Sequence, residues 1–88
     1  MTLEAQNPPR NATALVITVN ELPVEVMERH MTGSQIKEAA IGAGVPIQRD
    51  FILSEAIGKA KTRIIGDEER VTLHEKSTFY AIANDDNS

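Results

Sequence analysis

The sequence predicts an α+β domain in which one short helix packs against one face of a sheet. Three observations predict it. Two alternating apolar runs, Leu15-Val16-Ile17-Thr18-Val19 and Val24-Glu25-Val26, follow each other closely; one helix-spaced stretch runs from Thr32 to Ala40; and a β-rich segment, Thr78-Phe79-Tyr80-Ala81-Ile82, comes late.

Each element has a local cause. Residues 1–14 (MTLEAQNPPRNATA) lack periodicity and read as a flexible lead-in. Leu15, Ile17 and Val19 share one face of a strand. Asn20-Glu21-Leu22-Pro23 reads as a turn, with Asn for local side-chain bonding and Pro to stop the ladder. Leu15 to Val26 is therefore a hairpin with one apolar face. Thr32 is a candidate N-cap, with Gln35 placed to complete a capping box. Ile36, Ala39 and Ala40 make the buried stripe, while Gly42, Gly44 and Pro46 end the helix. Phe51-Ile52-Leu53 reads as a strand with Phe51 and Leu53 in the core. Glu55 to Lys61 reads as a loop or a ragged edge strand, and Arg63-Ile64-Ile65 as a brief strand before the Gly66-Asp67 turn. Val71 and Leu73 are isolated apolar plugs. In the last strand Phe79 and Ala81 face inward, so Tyr80 and Ile82 face outward. Ala83 to Ser88 is an acidic tail, expected to be flexible. A late strand returning beside the first makes the arrangement a β-grasp, a mixed sheet of four to five strands packed on one helix.

Composition narrows the function. In 88 residues, 13 acids against 9 bases give a net charge of −4, the wrong sign for gripping a phosphate backbone. The aromatics are Phe51, Phe79 and Tyr80, too few for a stacking platform on single-stranded nucleic acid. The absence of cysteine excludes disulfides, thiolate zinc sites and a thiol nucleophile, and fits a reducing cytoplasm. No apolar run reaches the length of a membrane span.

Catalytic chemistry finds no foothold. His30 and His74 have neither HExxH spacing nor a cysteine neighbour and read as surface residues. Asp67-Glu68-Glu69 and Asp85-Asp86 read as solvated loop and tail charge, because a chain of this size has little volume for a cleft that would shift their pKa values. Gly42-Ala43-Gly44 follows a helix, whereas phosphate-binding glycine loops precede one. Ser34, Ser54 and Ser77 lack a partner that would make a nucleophile. No catalytic residue, metal ligand or cofactor is assigned.

From Leu15 to Ile82 the chain resembles ubiquitin and, more closely, the bacterial multiubiquitin family. His74-Glu75-Lys76-Ser77-Thr78-Phe79-Tyr80-Ala81-Ile82 is similar to the last strand of ubiquitin and its lead-in. Gly44-Val45-Pro46 is similar to the Gly-Ile-Pro after its helix, and Thr32 to Ala40 to its Thr-initiated helix, with Ile36-Lys37 at the apolar-Lys pair. The hairpin from Val16 to Val26, the segment Met31-Thr32-Gly33-Ser34-Gln35-Ile36-Lys37 and the Phe79-Tyr80 ending match the multiubiquitin pattern.

The resemblance implies a β-grasp fold and a cytoplasmic modifier without enzymatic activity or cofactor of its own. Its carboxyl end would be adenylated by a ubiquitin-activating-enzyme homologue, passed to a conjugating-enzyme homologue, joined to a target protein, and trimmed or released by a JAB-type protease; antiviral defence is the pathway suggested by such bacterial operons. The alternative is a non-covalent β-grasp interaction module. The processing and conjugation region would be Ala83, Asn84, Asp85, Asp86, Asn87 and Ser88, which departs from ubiquitin in having no Gly-Gly and no arginine. That departure argues against sulfur carriage and makes either trimming or a tolerant activating enzyme a requirement of the modifier reading. Tyr80 and Ile82, with Ile52 beside them, form the candidate partner-binding surface, Ile82 standing at an apolar patch position of ubiquitin. Lys37, Lys59 and Lys61 are the candidate acceptors for chain building.

Overall fold

A computed structural model describes residues 14–84. The lead-in through residue 13 and the segment from Asp85 to Ser88, on which the expectations of flexible ends fall, lie outside the described residues. In chain order the elements are β1 (Leu15–Val19), β2 (Leu22–Val26), β3 (His30–Thr32), α1 (Gly33–Gly42), β4 (Ile52–Gly58), β5 (Lys61–Ile65), β6 (Arg70–Thr72) and β7 (Thr78–Ile82). Five strands form one sheet in the order β2-β1-β7-β4-β5, and β3 pairs with β6 in a two-stranded ribbon. β1 and β7 run parallel, whereas the other neighbours run antiparallel.

One face of the sheet packs on α1 and the other faces solvent. Ile17, Val19, Val24, Ile36, Leu53, Leu73 and Phe79 are the largest fully buried side chains. The predicted inward residues Leu15, Ala40, Val71 and Ala81 are buried with them, while Ala39 and Phe51 are partly buried against the same core. The helix begins where expected: Thr32 Oγ1 accepts from the Gln35 amide at 3.2 Å, and the Thr32 amide donates to Gln35 Oε1 at 2.9 Å. It ends at Gly42, and Gly44 at φ 98° lets the chain turn back.

Three local expectations are corrected. The first turn is shorter than Asn20–Pro23, since only Asn20 and Glu21 lie outside the strands, at φ 53° and 68°. Both positive values fit the twist of a two-residue hairpin. Pro23 does not stop the ladder but pairs with Thr18. The Thr18 amide donates to Ser77 on the β7 side, so Thr18 and Pro23 face each other at a pair without ladder bonds, and the proline nitrogen points off the free edge of β2. Of the loop and the ragged edge strand expected for Glu55–Lys61, the strand is nearer, but it lies inside the sheet: β4 runs on to Gly58 and turns into the edge strand β5, with a register shift between Ala56 and Gly58 and Ala60 at φ 63°. His30 to Thr32, where the sequence predicts only a surface histidine and the helix cap, is a short strand paired with Arg70–Thr72.

The start of α1 is docked on the turn before β6. The Gly33 amide donates to Glu69 O at 3.1 Å and the Ser34 amide to Asp67 O at 3.0 Å. A Cβ on Gly33 would stand 2.3 Å from Gly66 O, so only glycine permits this approach. That seam fixes the residues around Gly66 against the helix.

Candidate functional site: the outer sheet face and the exit of β7

Strand parity and register build the site. On β7, Phe79 and Ala81 point into the core, so Tyr80 and Ile82 point out. Register sets Ile82 opposite Ile52 and Tyr80 opposite Ser54 on β4, and Ser54 in turn opposite Ile64 on β5. Cross-strand neighbours on one face touch, so these residues form one patch. Its exposure is high for apolar side chains: Ile64 is 66 % exposed, Ile82 60 % and Tyr80 37 %, while Ile52 is half-buried between them. The structure thus brings together Tyr80, Ile82 and Ile52 and adds Ile64, which sequence reasoning missed. The available signal was parity: if Ile65 is buried, its neighbour Ile64 must face out.

The patch adjoins the place where β7 leaves the sheet. Ala83 and Asn84 follow Ile82 and are exposed, and the remaining processing residues lie outside the described residues. A clasp holds β7 just before this exit. Asn20 Nδ2 donates to Ala81 O at 3.0 Å, the Ala81 amide donates to Asn20 Oδ1 at 2.9 Å, and the Asn20 amide donates to Phe79 O. The β1–β7 pairing ends at Val19 and Phe79. The Asn20 side chain therefore continues the ladder after the backbone of β1 has turned away. Its bonding reaches 61 residues along the chain rather than staying local to the turn.

The acceptor lysines divide. Lys59 and Lys61 are exposed, in the β4–β5 turn and at the start of β5. This is the end of β4 far from Ile52, about 20 Å from the exit of β7 at some 3.3 Å per residue. Lys37 is corrected from an acceptor to a buried anchor. It is 3 % exposed, and its Nζ donates to Arg49 O at 2.6 Å and Phe51 O at 2.8 Å while pairing with Asp67 at 2.8 Å. All three ammonium protons are engaged, which is the condition under which a lysine can be buried charged. It ties α1 to the residues leading into β4 and to the Gly66–Asp67 turn.

Nearby, Arg63 on β5 binds Glu69 and lies 3.7 Å from Glu55. The hydrogen bond from Arg63, helped by one from the Gly66 amide, holds the Glu69 carboxyl below the usual carboxylate range, and the same partner raises Arg63. His30 and His74 are both exposed, on β3 and in the loop before β7. Among the described residues no group of three or more His, Asp or Glu side chains is placed to hold a metal, and no helix is long and apolar enough to cross a membrane.

A helix under a five-stranded mixed sheet, with the first and last strands parallel at its centre, defines a ubiquitin-like β-grasp protein. Within that class the chain belongs to the multiubiquitin family, whose model matches residues 15–85. No curated protein and no solved structure matches it.

Proposed function

We propose that this ubiquitin-like protein is a modifier whose carboxyl end, reached through Ala83 to Ser88, is activated by a ubiquitin-activating-enzyme homologue and joined to target proteins. The single observation that carries the reading is family membership over residues 15–85, which takes in the whole fold and the start of the segment beyond β7. The chain's own part is physical. It offers a sheet face for recognition and the segment after β7 for a partner to engage, while the activating, conjugating and JAB-type protease homologues supply the bond-making and bond-breaking chemistry. The proposal includes either trimming within Ala83 to Ser88 or an activating enzyme that accepts this end, because those residues include no glycine. Lys59 and Lys61 are the acceptors of a second copy.

The exposed outer sheet face of Ile64, Tyr80 and Ile82 favours a second reading, a β-grasp module that docks through its sheet and forms no covalent bond. Co-expression with the enzymes encoded beside it, with and without mutations in their ATP site, separates the two by intact mass. A defined loss within Ala83 to Ser88, or an ATP-dependent adduct on another protein, is the expected result. An unchanged full-length mass in the presence of active enzymes would transfer the function to non-covalent docking.

A further inference from the structure

At the Ile52 end of the outer patch the unengaged charge is acidic, and this says what kind of partner it takes; the argument rests on the patch being a contact surface, as both readings above require. Ile52 and Ile64 line a concavity at the end of the sheet where β4 begins and β5 ends, together with Asp50, Asp67 and Asn84. The cations nearby are already engaged. Lys37 lines the concavity from below but is buried, its charge met by Asp67 and two carbonyls. Arg49 turns toward Glu38 on α1, at 3.5 Å, and Arg63 is held by Glu69 with Glu55 beside it. Lys59 and Lys61 lie at the other end of the β4–β5 hairpin.

The two carboxylates at the rim differ: Asp67 gives one oxygen to Lys37, and Asp50 is unengaged among the described residues. Asp50 is exposed and makes no side-chain hydrogen bond or ion pair among the described residues. Asp67 stays 63 % exposed although Lys37 holds it in place. A partner that covers Ile52 and Ile64 takes water from Asp50, and that loss is offset only if the partner brings a cation to it.

We propose that the patch of Ile52, Ile64, Tyr80 and Ile82 docks a protein face with an aliphatic centre flanked by arginine or lysine, the cation being received at the rim by Asp50 and Asp67. Arginine suits the site better than lysine, because its planar fork can meet a carboxylate with two parallel bonds and loses less hydration. An acidic partner face is rejected by the same two groups.

The test uses the full chain, labelled with nitrogen-15, and two synthetic amphipathic helical peptides. Both carry leucine along one face; one has arginine at every flanking position and its twin has glutamate there. The arginine peptide should shift the amides of Ile52, Ile64, Tyr80 and Ile82 and bind about tenfold or more tightly than its twin, with the gap closing in high salt. Asp50→Lys should narrow that ratio at least about fivefold, and Asp50→Asn about two- to fivefold. Asp50 has no partner to lose among the described residues, so both variants should melt with the parent. Equal or tighter binding of the glutamate twin at the same amides would overturn the charge assignment and leave the patch standing. Failure of both peptides to move those amides, or arginine-peptide shifts centred on Glu25, Glu28 and Glu68 instead, would overturn the patch as a contact surface and the assignment with it.

Discussion

Replacing Gly33 by alanine sets two ordinary expectations against each other. Helix propensity favours alanine over glycine by up to about 1 kcal/mol, so a helix read in isolation gains stability. The packing of α1 reverses the sign. The new Cβ would lie 2.3 Å from Gly66 O, against the 3.4 Å at which ordinary contact begins, so the helix start and the facing turn must part by about 1 Å. The two hydrogen bonds across that seam, at 3.1 and 3.0 Å, would lengthen toward 4 Å and be lost. Each is worth about 1 kcal/mol, and overpacking adds about 1–3 kcal/mol. After the propensity gain, a net loss of about 2–4 kcal/mol remains, a large share of the 5–10 kcal/mol expected for a small domain. In urea, with a slope of about 1 kcal/mol/M for a chain this short, the unfolding midpoint should fall by about 2 M or more. Gly42→Ala is the control. A Cβ there meets nothing within 4 Å, so its midpoint should hold or rise slightly. A Gly33→Ala midpoint equal to or above wild type would refute the steric reasoning.

Other outcomes follow from the same contacts. Asn20→Gly keeps the positive φ and deletes the clasp on Ala81, so it should cost about 1–3 kcal/mol and speed amide exchange at Ala81 more than at Ile17; equal exchange at both would contradict the role of the side chain. An amine-acetylating reagent should modify Lys59 and Lys61 at least about tenfold faster than Lys37, as peptide mapping would show, because Lys37 reacts only through local opening; similar rates would mean that its cage is loose. Because Glu69 is held below its ordinary value by Arg63, its contribution is present above the unfolded value near about 4.3 and is lost as pH falls through the lower folded value. Wild type should therefore lose urea resistance faster than Glu69→Gln between about pH 5 and pH 3, and parallel acid limbs would argue against it. Ile64→Ser should leave the melt within about 0.5 kcal/mol of wild type, since the side chain is 66 % exposed.

Sequence reasoning worked where the physics is local. The first hairpin and β7 declare themselves by alternation because one face of each meets the core, and Thr32 with Gln35 marks the helix start through bonds made within three residues. The β4–β5 hairpin is obscure because β5 is an edge strand: Lys61 to Ile64 are all exposed, so no period of two is imposed on them. Its turn uses Ala60 at positive φ in place of the usual Asn-Gly signal. β3 and β6 are three residues each, too short to show a period. At the site, parity gave the outward direction of Tyr80, Ile82 and Ile52, and the likeness of Ile82 to an apolar patch position of ubiquitin singled them out. Ile64 hid in an Ile-Ile pair that looks like core, and Lys37 hid the other way, since a lysine is assumed to be wet. The Asn20 clasp depends on a partner 61 residues away, which no local pattern encodes.

The position of β7 bears on how the protein is made and unmade. The last described strand in chain order stands at the centre of the sheet, between β1 and β4. While the chain emerges from the ribosome, the β1–β2 and β4–β5 hairpins can each close, but both keep an open edge and neither can join the other until residues 78–82 are free. Folding should therefore arrive late and in one step. Seen from the other end, a machine that grips the carboxyl terminus and pulls does not peel an edge. It withdraws the central strand, breaks the pairings on both sides of it and leaves two separate hairpins that cannot hold the helix between them.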